Sequence, residues 1–320
     1  MDIPLITIGI ATFNALNTIE NSISSALKQS WGNFEIIIVD DFSNDGTYEF
    51  LKKLSNNNNK ISLFRNSKNF GIGYVRNKII SKAGGEFIAF FDDDDESLSN
   101  RLELQYKRII EYEKKYSPEA PVICHSSRKV YYPNGKVKIH PTLGTNLDKI
   151  APFGISVARR ILLGKPLNDG YGSCPTCSQM ARTSSYKILG GFDTKFRRSE
   201  DTDFCIKHSL LGSHFVGIRT PLVKQIMTLS EDKNIEIEFR FFELILDKYK
   251  YFIKANGNYK FCQKWLRIKY LFSKRNYLKL FLLILLISIR YPKETFQRLI
   301  LSIRSIGINN DFASFHNNKD

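Results

Sequence analysis

The chain of 320 residues predicts an α/β fold: a mostly parallel central sheet flanked by helices, continued by a C-terminal helical extension. Three observations carry that expectation. Apolar, branched runs alternate with helical segments of about 10 residues through the first part of the chain. Polar and acidic residues collect where those runs end, which is where open parallel sheets bind ligands. The final part is apolar and aromatic with a strong excess of Lys and Arg. A hydrophobic content of 42% with only 19 Gly and 10 Pro excludes disordered and collagen-like chains.

Taken in order, Pro4 to Ala11 is a continuous apolar run suited to a strand buried on both faces, and Thr12-Phe13-Asn14 ends it. A helix follows over Glu20 to Gln29, with Ile19, Ile23, Ala26 and Leu27 as its inner stripe. Phe34 to Val39 is the second strand, and the polar turn Asp40 to Thr47 leads into a helix through Phe50, Leu51 and Leu54. Ile61 to Arg65 is the third strand. Asn69-Phe70-Gly71-Ile72-Gly73 then opens a helix through Val75, Ile79 and Ile80. Phe87 to Phe91 is the fourth strand, leaving Asp92, Asp93, Asp94, Asp95 and Glu96 at its exit.

Beyond it, Ser99 to Tyr112 predicts a helix capped by Ser99 or Asn100, with Leu102, Tyr106, Ile109 and Ile110 inside. Residues 122 to 140 predict strands joined by a turn at Pro133-Asn134-Gly135-Lys136. The stretch Ala151 to Pro175 reads as irregular, with mobile loops. Ser184 to Leu189 is a short helix closed by Gly190-Gly191. Glu200-Asp201-Thr202-Asp203 opens another that stops at Gly212. Acids at a helix N-terminus are favoured by the helix dipole, so a purely structural role for these three is available.

The charge is concentrated. Between Lys248 and Arg304 there are 14 Lys or Arg against Glu294 alone, so this stretch carries +13 of the formal +15. The basic residues lie among Tyr, Phe, Trp and Leu, which disfavours nucleic acid and favours an anionic membrane face as partner. Leu280 to Ile289 gives ten uncharged positions before Arg290. A bilayer crossing needs about 20, so an interfacial helix is expected instead, with packing against the main domain as the competing reading. Five Cys, at 124, 174, 177, 205 and 262, read as reduced thiols, and Met1-Asp2-Ile3-Pro4 reads as lacking a secretory leader. Cys174-Pro175-Thr176-Cys177 has no second pair or well-spaced His after it, so it is weak grounds for zinc or redox chemistry.

Consecutive acids ending an apolar strand raise one another's pKa unless a cation intervenes. Asp92 and Asp94, one residue apart, can face a common divalent ion that also takes phosphate oxygens. Asp40 and Asp41 lie at the second strand's mouth, where a carboxylate can meet a base or ribose. Ala11 to Ala15 lacks GxGxxG, and no GxxxxGK[ST] occurs, which argues against hydride transfer and P-loop ATP hydrolysis.

In this order and spacing, Thr12-Phe13-Asn14, Val39 to Thr47, Asn69 to Gly73 with Arg76-Asn77, Phe90 to Asp95, and Gly190-Gly191-Phe192-Asp193 with Glu200-Asp201 resemble the GT-A glycosyltransferases of inverting family 2. The resemblance covers about residues 3 to 215 and implies a nucleotide-diphospho-sugar transferase fold. It implies that Asp41, with Asp40, holds the uracil or ribose and that Thr12 and Asn14 line the nucleotide pocket. Arg76 would approach the phosphates or hold the acidic cluster. Asp94 would bind Mn²⁺ or Mg²⁺ across the diphosphate with Asp92 on the sugar side, and Asp93 is grouped with the donor contacts. Asp201 would be the base for the acceptor hydroxyl, with Glu200 beside it. Thr176, Ser178 and Gln179 would lie near the donor sugar or acceptor, and His208 would reach phosphate or be a buried structural residue.

An in-line displacement at the anomeric carbon follows, with the cation neutralising the leaving diphosphate and one carboxylate acting as base. Two departures stand out: Asp93 occupies a position that is small or neutral in many relatives, and no QxxRW follows Asp203, which favours a single transfer over polymerisation. The expected organisation is a catalytic domain over 1–232, split into nucleotide-binding (1–98) and acceptor-side (99–232) halves, then a basic helical region over 233–320. The expected function is transfer of one hexosyl or N-acetylhexosaminyl unit, from a UDP-sugar, to a glycan or lipid-linked acceptor in surface polysaccharide synthesis. Its expected place is the cytoplasmic face of the membrane, peripherally bound. A nucleotidyltransferase and an inactive binding protein of the same fold are the alternatives.

Overall fold

The computed structural model describes residues 3–116, 118–167, 170–228 and 234–317. They form two compact units, Met1–Gly154 with Asp169–Thr228, and Ile155–Asn168 with Leu229–Asp320. The expected boundary at 232/233 lies outside the described residues.

The first unit opens with β1 (Ile6–Thr12), α1 (Ile19–Leu27), β2 (Phe34–Asp40), α2 (Thr47–Asn56), β3 (Ile61–Arg65), α3 (Ile72–Lys82) and β4 (Phe87–Asp92). These four strands pair in parallel in the order β3-β2-β1-β4. Every residue of β1 is buried, as expected of a strand between two others with helices on both faces. One face carries Ile6, Ile8 and Ile10 against Ile19, Ile23 and Ala26 of α1. On the other, a Cβ at Gly9 would lie 2.6 Å from Ile79 Cγ2 of α3, so glycine permits the close approach of helix to sheet.

The parallel pattern then changes. The chain continues through β5 (Glu96–Ser97), α4 (Arg101–Tyr116), β6 (Val122–Tyr131) and β7 (Val137–His140). After α5 (Ile155–Leu163) come β8 (Gln179–Arg182), α6 (Thr183–Ile188), α7 (Glu200–Leu210) and β9 (His214–Ile226). The sheet extends as β4-β8-β6-β9-β5, with β8 antiparallel to both its neighbours and β7 hydrogen-bonded to β6. The result is a mixed sheet: β3-β2-β1-β4 is parallel throughout, and in the remainder β6 and β9 pair in parallel while β8, β7 and β5 run antiparallel to their neighbours.

Two sequence expectations need correction. The stretch 151–175 is not irregular throughout: α5 forms within it, burying Val157, Ala158, Leu162 and Leu163. Strand β9 had no counterpart in the sequence reading, because Gly217 and Pro221 interrupt its apolar pattern. The irregularity opposite Ser126 and Ser127 in β6 absorbs that interruption.

In the second unit, α5 is joined by α8 (Ile235–Lys248), α9 (Lys250–Asn256), α10 (Tyr259–Ser273), α11 (Tyr277–Arg290) and α12 (Pro292–Asn317). Asn234, Asn258 and Asn276 each cap a helix, their side-chain oxygens accepting from Ile237, Phe261 and Lys279 N–H, an interaction worth about 1 kcal/mol apiece. Phe261, Trp265 and Ile268 of α10 pack against Ile287 of α11. Among the described residues no helix is long and apolar enough to cross a membrane.

Candidate functional site

The site is built at the C-terminal ends of β1, β2 and β4. Thr12 and Asp40 are register partners at the ends of β1 and β2, and both are buried. Asn14, in the left-handed region at φ 51, donates its N–H to Ser43 Oγ at 2.9 Å and accepts from Asn44 N–H at 3.0 Å. Asp40 accepts from Ser43 N–H at 3.2 Å and pairs with Arg65 Nε at 3.2 Å. Asp41 is engaged further still. Its Oδ1 accepts from Asn66 Nδ2 at 2.7 Å and Phe70 N–H at 3.0 Å, and its Oδ2 from Gly71 N–H at 2.7 Å. Gly71 sits at φ 91, which presents that N–H without steric cost.

The acids after β4 lie against one another. Asp92 and Asp94 are half-buried; Asp92 pairs with Arg76 at 3.3 Å, and Asp94 Oδ2 accepts from Thr228 Oγ1 at 2.6 Å. Asp93 Oδ2 accepts from Phe13 N–H at 3.2 Å, which ties the exit of β1 to this cluster. Burial and the neighbouring Asp94 and Asp92 charges push Asp93 up to about 7. Asp95 is buried; its Oδ1 accepts from Ile226 N–H at 3.1 Å, while its Oδ2 has no partner among the described residues. Burial and the charges of Asp92 and Asp94 push it well above the carboxylate range. Carboxylate oxygens gathered at one strand exit are the donor type that a hard divalent cation takes, and a cation there would offset the repulsion that raises Asp93 and Asp95.

Arg76 of α3 joins this cluster to the start of α7. Its guanidinium pairs with Asp92 and, more closely, with Glu200. Burial lowers the Arg76 pKa, but Glu200, Asp92 and Asp201 outweigh it and the net shift is upward. Burial raises Glu200 while Arg76 opposes it, and the net is upward. Beneath lie Phe90, Tyr186, Phe192 and Phe204, with Phe192 and Phe204 stacked at 4.6 Å and the guanidinium 5.4 Å from the Phe192 ring. Asp201, half-buried in the first turn of α7, accepts from Thr202 N–H at 2.6 Å.

The structure therefore brings Thr12, Asn14, Asp40, Asp41, Arg76, Asp92, Asp93, Asp94, Glu200 and Asp201 to one end of the sheet. The remaining sequence candidates are enclosed. Ser178 Oγ donates to Pro175 O at 3.3 Å, Gln179 lies 3.1 Å from His125 Nε2, and both are fully buried, as is Thr176 to 2% exposure. His208 is 0% exposed, hydrogen-bonded to Ser213 Oγ at 2.9 Å and packed on Phe204. Burial pulls it down to about 3, so of its two sequence readings the structure matches the buried, neutral one. Asp95 is named in the sequence only as part of the acidic run, with no role of its own, and Thr228 is not among the sequence candidates. Thr228 lies 134 positions from Asp94, and nothing local signals the pairing.

Residues 7–162 match the family described as Glycosyl transferase family 2. The chain is 39% identical over 110 residues to the UDP-Glc:alpha-D-GlcNAc-diphosphoundecaprenol beta-1,3-glucosyltransferase WfgD of Escherichia coli, over 34% of this chain and 43% of that protein. It is 29% identical over 227 residues to the putative glycosyltransferase EpsE of Bacillus subtilis (strain 168), over 69% and 72%. The aligned stretch spans less than half of WfgD and of TuaG, the putative teichuronic acid biosynthesis glycosyltransferase of Bacillus subtilis (strain 168). Among solved structures, S. aureus TarS 1-349 in complex with UDP-GlcNAc superposes with a TM-score of 0.58 at 19% identity, over 84% of this chain and 72% of that one. That likeness establishes the GT-A type of fold. The family match runs over the parallel strands and the acids described above, so residues 7–162 of this chain carry a domain of glycosyltransferase family 2.

Proposed function

We propose that the protein is a divalent-metal-dependent inverting glycosyltransferase that moves a single sugar from a UDP-sugar to a hydroxyl of a glycan or lipid-linked acceptor in surface polysaccharide synthesis. The observation that carries this reading is the Arg76 bridge, which couples an acid cluster suited to a cation with a second carboxylate pair at the start of α7. Asp94 and Asp92 are the residues that would hold Mn²⁺ or Mg²⁺. When bound, such an ion neutralises charge developing on the departing nucleoside diphosphate. Asp201 takes the proton from the attacking hydroxyl, attack coming from the face opposite the leaving group. Arg76 keeps Asp92 and Glu200 apart from each other's charge and positions α7. With both its oxygens accepting from protein donors, Asp41 shapes the nucleotide side of the cleft by fixing the backbone at Phe70-Gly71, while Asp40 fixes Ser43 through Oδ2 and keeps a buried Oδ1 without a partner among the described residues.

The test is a panel of nucleotide-sugars with Mn²⁺ or Mg²⁺ and a glycan or polyprenyl-linked acceptor, scored by released nucleotide. Release from one UDP-sugar that EDTA abolishes is the expected result. Turnover indifferent to EDTA removes the metal, and no turnover with any donor removes the activity. Asp201→Asn is expected to cut transfer by roughly 10²- to 10⁴-fold with donor affinity retained.

An anionic membrane surface at the cytoplasmic face is the proposed place of work. Leu278, Phe281, Leu282, Leu285, Leu286 and Ile289 of α11 are all more than half exposed and fall at helical spacing along one side. Lys274, Arg275, Lys279, Arg290 and Lys293 flank them, the pattern of an interfacial helix. Leu282→Asp with Leu286→Asp should abolish flotation with phosphatidylglycerol vesicles. Undiminished flotation would leave this face without its proposed partner.

A further inference from the structure

The first unit holds a second cluster of metal-ligating side chains, unlike the carboxylates in kind. We infer that His125, Cys174 and Cys205 form a binding site for a thiophilic cation, Zn²⁺ by chemistry, separate from the acidic cluster after β4. The three come from β6, the loop before β8, and the second turn of α7. Their ligand atoms lie within 4.8 Å of one another. Zinc bonds of about 2.3 Å to sulfur and 2.0–2.1 Å to nitrogen would set such atoms about 3.5–3.8 Å apart, so closure needs shifts of no more than about 1 Å. One nitrogen and two sulfurs select zinc over the oxygen-seeking Mg²⁺ and Mn²⁺.

The histidine supplies an independent sign. His125 is fully buried, and its Nδ1 has no hydrogen-bond partner among the described residues. Its Nε2 is 3.1 Å from the Gln179 side-chain amide, whose Oε1 also lacks a partner. With that amide turned so that Oε1 faces the ring, Nε2–H donates to it and Nδ1 is left as a bare lone pair. This is the outer-sphere carbonyl that orients most metal-binding histidines. Cys205 is buried and Cys174 half-buried. The CxxC pair is split, for Cys177 instead lies with Asp92 and Asp95. The partners of Cys174, His125 and Cys205, are remote in sequence, which is why spacing alone does not disclose them.

The consequence concerns α7. Cys205 follows Asp201 by four residues, one helical turn along the same face. A cation held there ties the helix that carries Glu200 and Asp201 to β6 and to the Cys174 loop, making the three ligands positioning residues for the acidic pair.

The test uses the metal-depleted full chain under reductant, titrated with Co²⁺ in excess Mg²⁺ so that the carboxylates are occupied. One Co²⁺ per chain, a sulfur-to-cobalt charge-transfer band and its displacement by stoichiometric Zn²⁺ are expected. Cys174→Ser, Cys205→Ser and His125→Gln should each lose or weaken the band, while Cys177→Ser and Cys262→Ser keep it. Absence of the band in the wild-type chain overturns the site whatever the variants do. So does a band that survives Cys174→Ser and Cys205→Ser, or one lost in Cys177→Ser instead.

Discussion

The mouths of β2 and β4 each end in adjacent aspartates, and the structure treats the two sets in opposite ways. Asp41 receives three hydrogen bonds, two from backbone N–H groups, and is the saturated member of its pair; Asp40 takes a backbone N–H and an arginine on Oδ2, its buried Oδ1 having no partner among the described residues. The acids after β4 crowd one another. Asp93 is pushed up to about 7, Asp95 is pushed well above its ordinary value, and a buried oxygen of Asp95 has no partner among the described residues. A carboxylate saturated by protein donors holds its own loop together, whereas carboxylates left to repel one another store a demand for positive charge. Aspartates stand in both places; the supply of donors sets Asp41 apart from the acids after β4.

The largest expected effect breaks the bridge that serves the second set. Arg76→Met should destabilise the fold by about 3–5 kcal/mol, because it leaves Glu200 as a buried carboxylate without its cation. Urea unfolding checks this, and a loss below about 1 kcal/mol would mean that the bridge is dispensable. Next, Asp94→Asn should lower metal-stimulated nucleotide release by at least about 10²-fold, since metal stabilisation of the leaving group is worth several kcal/mol. Equal turnover of the variant and the parent across a Mn²⁺ titration would undo the contrast. The saturated member should answer in stability instead: Asp41→Asn should cost about 1–3 kcal/mol, the range for leaving buried donors unpaired, read as a lowered urea midpoint.

The effect that is smallest at neutral pH, and grows only in acid, tests a residue that the core has absorbed. Burial holds His208 at about 3 in the folded chain, against 6.5 for an ordinary histidine. The unfolded chain therefore binds the extra proton as pH falls below about 6.5. Folding stability should decline by up to about 1.4 kcal/mol per pH unit until about pH 3. His208→Gln should flatten that slope. A slope unchanged by the substitution would place the acid sensitivity elsewhere.

Much of this was legible in the chain itself. The four parallel strands, their helices and the acids at their exits follow from apolar runs of strand length and from polar residues that cannot stay inside them. Those are local properties, and Ile19, Ile23 and Ala26 lie buried as their spacing requires. The tail's charge and its apolar stripe are also local. Strand β9 was hidden because Gly217 and Pro221 break the alternation, and only pairing with β6 across an irregular register makes the segment a strand.

What the tertiary structure alone decided is which polar groups find partners. Asp41 meets Gly71, Asp94 meets Thr228, Arg76 meets Glu200, and Cys174 meets His125 and Cys205, over separations of 30, 134 and 124 residues for the first three. The same closure removed Ser178, Gln179 and His208 from the cleft into the core. Hydrophobic periodicity is written along the chain because burial is decided residue by residue. Hydrogen bonding and charge pairing depend on what arrives from elsewhere, so only the folded chain reveals which acids are satisfied and which still call for a cation.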